Sequence, residues 1–215
     1  EKVLPYFKKI ETWSGGENQY RGSLGPLPVN QSKNDNPLFK AFINSASEAG
    51  HTVNPDMNGE EQEGFGMFDT TIHEGQRASA TKYYLNPAKK RKNLNIFSNS
   101  FVEKIIFEGK KAIGIEVKIK NKVEKVYAEK EVILSGGSIN SPQLLMLSGV
   151  GNSDHLKEKG IDVVSDIKGV GRNLQDHLET YIMQECKTPD TLYTYTKLIP
   201  KVLAGIQWFL SKSGP

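Results

Sequence analysis

Apolar residues recur at helical spacing in four stretches of the chain and alternate with polar ones in the middle. Val3, Tyr6, Phe7 and Ile10, with Lys8, Lys9 and Glu11 opposite, predict a helix over 3–10. Asn36-Pro37 opens a second by the cap-plus-proline rule. It has Leu38, Phe39, Phe42, Ile43 and Ala46 on its buried side and Gly50 at its end. A third begins at Ser79, runs through Ala80, Tyr83, Tyr84 and Leu85, and is stopped or kinked by Pro87. The last covers Tyr195 to Leu210, with Leu198, Ile199, Val202, Leu203, Ile206 and Leu210 in phase, and ends at Ser213-Gly214.

From Asn95 the period switches to two. Ile96 and Phe97 precede a turn, Val102 to Glu108 predicts a strand, and Gly109-Lys110 turns it into Ala112 to Lys120. In that second strand Ile113, Ile115, Val117 and Ile119 face one way, with Gly114, Glu116 and Lys118 behind them. This is the signature of an antiparallel strand with one wet face. Asn121-Lys122 leads to a third strand, Lys125 to Ala128, and Val132-Ile133-Leu134 reads as a fully buried one. Further short strands are expected at Phe68 to Ile72 and Ile161 to Val164. Residues 14–37 and 51–77 are rich in Gly, Pro and polar residues and read as loops. A connection as long as the second is usually functional or an insertion.

The chain is organised around Val132 to Gly151. Its apolar run meets the small-residue turn Ser135-Gly136-Gly137-Ser138, and a second apolar run opens at Ser141-Pro142 and closes at Gly149. The order is strand, tight turn, helix, with Ser141 expected as the cap, Pro142 at the first helical position and Gly149 as the left-handed stop. Glycines without a Cβ let another chain or a cofactor approach the backbone. On spacing alone both a packing turn and a cofactor turn fit, because Gly136-Gly137 is not a Gly-x-Gly-x-x-Gly fingerprint.

Composition narrows the class. Over 215 residues the hydrophobic set is 37% and the charged set 25%, ordinary for a globular protein with a real core. The net charge of +3 is mixed along the chain apart from Lys89-Lys90-Arg91-Lys92, which reads as a solvated helix end, so no nucleic-acid partner is expected. The lone Cys186 excludes an internal disulfide and a cysteine-based zinc site. No membrane span or signal peptide is visible. Asn30-Gln31-Ser32 is a glycosylation acceptor if the protein is secreted. The chain begins at Glu1 inside an apolar-periodic segment and stops in a turn, so it reads as an excerpt of a longer polypeptide.

Candidate chemistry is sparse. Asn173 to His177 gathers an amide, a carboxylate and an imidazole, but Asp176 and His177 are neighbours and face opposite ways in a strand, which favours a structural cluster. His51, His73 and His155 are isolated and lack metal-ligand spacing. No nucleophile elbow or Walker loop occurs. Ser148-Gly149-Val150-Gly151 lies at a helix C-terminus and would offer carbonyls, the wrong end for a phosphate.

The run GSINSPQLLMLSGVG resembles the second signature of the glucose–methanol–choline (GMC) oxidoreductases. NLNIFSNSFVEKIIFEGKKAIGIEV, EKEVILSGGS, DIKGVGRNLQDH, VLPYFKKIE, the GPLPV loop, NPLFKAF and the approach to Gly75-Gln76-Arg77-Ala78-Ser79 are similar to the same family in the same order. The resemblance covers essentially the whole chain and is nearest the insect glucose-dehydrogenase-like branch, some of whose members are secreted. It implies a mixed α/β fold: part of a Rossmann-like FAD-binding domain with an antiparallel meander, interleaved with substrate-domain segments. Residues 1–77 would form a substrate-domain or lid segment, 78–180 part of the FAD-binding domain, and 181–215 the start of a second substrate-domain segment.

The resemblance also implies FAD as cofactor. The backbone at Val102 would lie against the adenine, and Ser135, Gly136 and Gly137 would run beside the ADP half. It implies an EC 1.1-type oxidation of an alcohol or sugar CH–OH group by hydride transfer to flavin. Two family features are missing. The N-terminal Gly-x-Gly-x-x-Gly is not in the chain, nor is the late histidine with its His or Asn partner. No catalytic residue is therefore assigned in this chain, which is expected to be inactive without the remainder of its polypeptide. Gly137 also stands where the family usually has alanine. Two alternatives stay open: a non-catalytic homologue serving as a binding module, and a lyase on the same scaffold.

Overall fold

A computed structural model describes residues 2–32, 36–187 and 190–214. The chain divides into two units, one formed by Glu1–Leu94 with Ile182–Pro215, the other by Asn95–Tyr181.

The first unit opens with α1 (Leu4–Ile10), which runs directly into β1 (Glu11–Trp13). Residues 14–26 loop back so that β2 (Leu27–Gln31) pairs parallel to β1, with Thr12 opposite Pro28. The sequence hides β2 because Pro26 and Pro28 read as turn residues. Yet Pro28 pairs with β1 alone, since the strand on the other side of β2 joins it only at Asn30 and Gln31, so at that point β2 has a free edge. Next comes α2 (Pro37–Glu48), where the Asn36 side chain accepts from the Leu38 N–H as the cap-plus-proline reading expects. Two short strands then replace the single one expected at 68–72. They are β3 (Asp69–Thr70), antiparallel to β2, and β4 (Ile72–His73), which forms a hairpin with β5 (Gln76–Arg77). The hairpin turn uses Glu74 and Gly75, both at positive φ. Beyond it Thr81–Leu85 widens into a π-turn, closed by the Asn86 N–H on the Thr81 carbonyl, before α3 (Asn86–Ala88). Pro87 thus does not stop the helix: its ring needs room from the preceding turn, and the π-turn supplies it.

The second unit is built on an antiparallel meander, β6 (Ser100–Glu108), β7 (Lys111–Ile119) and β8 (Lys122–Tyr127), in that spatial order. Ile105 and Val117 are its most buried members. The β7–β8 turn is Lys120-Asn121, both at positive φ, one residue earlier than the sequence suggests. Such a two-residue turn matches the twist of its strands. Helix α4 (Gly137–Leu147) packs on β6 and leads into β9 (Val150–Gly151). After it come α5 (Ser153–Glu158), capped by Asn152, and β10 (Ser165–Asp166), parallel to β9. The strand expected at Ile161 to Val164 is therefore displaced to Ser165–Asp166.

Two further expectations are corrected here. Val132 to Leu134 is an unpaired extended segment, with Ile133 75% exposed. A parallel strand is buried only between neighbours, and among the described residues none pairs with it. Helix α4 starts a full turn before Ser141, so Pro142 sits inside it.

The chain then returns to the first unit through a 3₁₀ turn (Leu192–Thr196) and α6 (Leu198–Ser211), which stops at Lys212 in the left-handed region. The Trp208 indole N–H donates to the Gly75 carbonyl at 2.7 Å, and the Lys212 ammonium lies 4.0 Å from the Trp208 ring. The helical faces that periodicity marks as buried stay largely uncovered. On α2 only Ala46 is buried while Phe42 is exposed, and Leu198, Ile199 and Leu203 of α6 are exposed. The total exposed surface is 17709 Å². Two separate compact globules of these sizes would together expose about 12,000 Å².

Candidate functional site

The Ser135-Gly136-Gly137 turn lies in the second unit at the mouth of α4. Gly136 has φ −80° and ψ 0°, and Gly137 has φ +86°. A right-handed residue followed by a left-handed one curls successive backbone N–H groups into a concave nest suited to an anion. The next N–H groups belong to the first turn of α4 and have no acceptor within the helix. Ser141 has a different job from the cap expected: its hydroxyl accepts from the Gly136 N–H at 3.0 Å and fixes the turn. Pro142, inside the helix, has no N–H to give the Ser138 carbonyl one turn back.

The two glycines are required for different reasons. A Cβ on Gly136 would sit 3.3 Å from the Asn140 Cβ and the Ser141 hydroxyl, tight against the helix. A Cβ on Gly137 would meet nothing within 4 Å, but positive φ disfavours any side chain there. Glycine is the residue that such a backbone favours. The space beyond Gly137 is open, and Ser135 to Asn140 are all exposed. With the Gly136 N–H taken by Ser141, the N–H groups that follow it at the start of α4, beside open space at Gly137, offer a setting that fits a phosphate of an ADP moiety.

Val102 sits on β6, an edge strand, opposite Val117. A bulge follows it, with Glu103 left out of the pairing between Val102 and Lys104. Bulges of this kind re-aim a strand next to binding sites. The packing of α4 on β6 connects Val102 to the glycine turn, through the Ser148 hydroxyl bonded to the Ile105 N–H at 2.8 Å.

The remaining candidates make local contacts within the fold. The Asp176 carboxylate accepts from the His177 backbone N–H, a local turn contact. His51 lies tilted against Phe65, His73 meets the edge of Tyr83, and the His155 backbone N–H donates to the Asn152 cap. Among the described residues no group of three or more His, Cys, Asp or Glu could hold a metal, and no helix is long and apolar enough to cross a membrane. The Asn30 amide of the glycosylation motif donates to the Ile72 carbonyl and so is engaged within the fold.

One cluster has no sequence signal at all. Arg21, 2% exposed, donates from Nε to Glu11 at 3.0 Å and from Nη1 to Asp56 at 2.6 Å. Its Nη2 donates to Asp69 at 2.8 Å, and the guanidinium carbon lies 4.3 Å from the Trp13 ring centre. Burial lowers its pKa, but the hydrogen bonds to Glu11 and Asp69 and the charges of Glu11 and Asp56 raise it, for a net upward shift. The acids stand 10, 35 and 48 positions away, beyond any local pattern.

Comparison with known proteins decides the family. The profile described as GMC oxidoreductase matches residues 1–179. The chain belongs to the GMC oxidoreductase family. Its curated relatives include the oxygen-dependent choline dehydrogenase of Brucella ovis, 51% identical over 212 residues, or 99% of this chain and 38% of that protein. Human mitochondrial choline dehydrogenase is 50% identical over 211 residues, 98% of this chain and 36% of that protein. Among solved structures, an FAD-dependent oxidoreductase from Chaetomium thermophilum superimposes with a TM-score of 0.83 at 29% identity. The match covers 99% of this chain and 40% of that one. The chain thus spans less than two-fifths of the length of the curated relatives it matches. The fold is the mixed α/β FAD-binding portion of a GMC protein with its antiparallel sheet, and the cofactor that membership and structural likeness indicate is FAD.

Proposed function

We propose that this chain is a working part of an FAD-dependent oxidoreductase that oxidises a choline-like alcohol, and that it supplies the adenine-side wall of the flavin site. The Gly136–Gly137 turn at the mouth of α4 carries this reading, because it offers helix-start N–H donors and open space where the family's ADP half is expected. Ser135, Gly136 and Gly137 would hold the ADP moiety, and the β6 backbone at Val102 would face the adenine. When bound, FAD supplies the hydride acceptor for a CH–OH donor. The residues of this chain bind and orient it, and the base that takes the alcohol proton is contributed by other parts of the polypeptide. Residues 1–77 and 181–215 fit the substrate side, and the exposed apolar faces of α2 and α6 are then covered by the rest of that polypeptide.

The half-identical choline dehydrogenases move the substrate reading away from the glucose-dehydrogenase-like branch towards a quaternary-ammonium alcohol. Anaerobic addition of choline, and separately of glucose, to the complete protein tests this. Bleaching of the flavin absorbance by choline is expected. Bleaching by glucose alone would return the reading to the sugar branch. An intact flavin spectrum with either alcohol would favour a lyase or a non-catalytic homologue.

A further inference from the structure

Ser148 closes α4 and is 2% exposed, yet the cofactor reading gives it no role. Its hydroxyl donates to the Leu144 carbonyl at 2.6 Å, an ordinary contact one turn back. It also accepts from the Ile105 backbone N–H at 2.8 Å, reaching a strand 43 positions away. Ile105 is itself 4% exposed, so its amide has no water to turn to. The same helix end is clamped from another side, since the Gly149 carbonyl accepts from the Val164 N–H at 2.8 Å and the Ser165 N–H at 3.1 Å. The far end of α4 carries the exposed glycine nest. An 11-residue helix is about 16 Å long, so a tilt of about 4° at the clamped end moves the nest by about 1 Å.

We propose that Ser148 is a positioning residue for the flavin. Its hydroxyl keeps the strand bearing Val102 and the helix bearing Gly136 and Gly137 in one register, so both parts of the wall are set before FAD arrives. The proposal rests on the reading of that wall as the ADP side of the site. Serine suits the position because it satisfies a buried amide and a buried carbonyl with one small side chain. Alanine would leave the Ile105 N–H without a partner, while threonine keeps the hydroxyl.

The test strips FAD from the complete protein and titrates it back, following flavin fluorescence, with the melting temperature of the apoprotein measured alongside. Ser148→Ala is expected to raise the FAD dissociation constant at least tenfold, and Ser148→Thr to stay within threefold of the parent. Leu156→Ala empties a buried site on α5 in the same unit and serves as a stability control. It should lower the melting temperature while changing FAD affinity less than twofold. If Ser148→Ala lowers only the melting temperature, as the control does, Ser148 is mere packing and the proposal is overturned. Where Ser148→Ala gives no folded protein, Ser148→Cys stands in under the same criterion. Gly136→Val separates the two levels. Loss of FAD there with unchanged affinity in Ser148→Ala overturns the positioning role alone. Retention of FAD in Gly136→Val overturns the wall itself and the proposal with it.

Discussion

Replacing Arg21 by methionine should be among the most damaging single changes in the first unit. The guanidinium is the common partner of Glu11, Asp56 and Asp69, whose side chains are 13–15% exposed against 3% for Arg21. Water cannot take over the task, and three converging carboxylates would face one another. Breaking a buried ion pair by removing one partner costs about 3–5 kcal/mol, well above the roughly 0–1 kcal/mol of a surface pair. Lysine restores the charge but not the planar fork, so Arg21→Lys should still lose about 2 kcal/mol. The pH dependence follows from the sign of the shift. A basic group whose pKa is raised on folding stabilises fully below its unfolded value and loses that contribution only as pH rises through the folded one. For Arg21 both lie above the neutral range, so its share should be flat from about pH 6 to 9. Urea unfolding of the complete protein, followed by tryptophan fluorescence, reads this directly because Trp13 lies against the guanidinium. A loss of about 1 kcal/mol or less in Arg21→Met would refute the reasoning and place the network among solvated surface pairs. A double-mutant cycle with Asp56→Asn should return a coupling of about 1–3 kcal/mol.

Other outcomes follow from the same geometry. Gly75→Ala combines positive φ with a Cβ driven into the Lys212 backbone, so it should cost about 2 kcal/mol or more and shift Trp208 fluorescence. Lys120→Asn with Asn121→Gly puts the favoured pair into a turn whose two residues already sit at positive φ. A gain of about 1 kcal/mol in thermal unfolding is expected. The purified 1–215 polypeptide should bind a dye for exposed apolar surface strongly and fail to retain flavin through gel filtration. One flavin per chain after that step would contradict the division of the site proposed above.

What the sequence disclosed was mainly what local periodicity controls. The alternation of Ile113, Ile115, Val117 and Ile119 anticipates β7 to within a residue, and Asn36-Pro37 marks the start of α2. The misses have physical causes. Val132 to Leu134 carries the composition of a buried strand, but burial depends on neighbours that composition cannot supply. Ser141-Pro142 has the chemistry of a helix start, yet the double-glycine turn begins the helix earlier and turns the Ser141 hydroxyl to the Gly136 amide. Of the candidate site, the glycine turn and Val102 were legible from motif order. Arg21 and Ser148 were not, because their partners lie 10 to 48 positions away and only the folded chain brings them together.

The contact of Trp208 with Gly75 spans 133 positions and encloses the whole second unit between its ends. Closing a flexible loop of that length costs about 4 kcal/mol of chain entropy, and one hydrogen bond contributes only about 1. The β6–β7–β8 meander needs no such closure, since its strands are joined by two-residue turns. Assembly during synthesis therefore has a built-in order. The inserted unit can form while the first unit still waits for α6, which follows it in the chain.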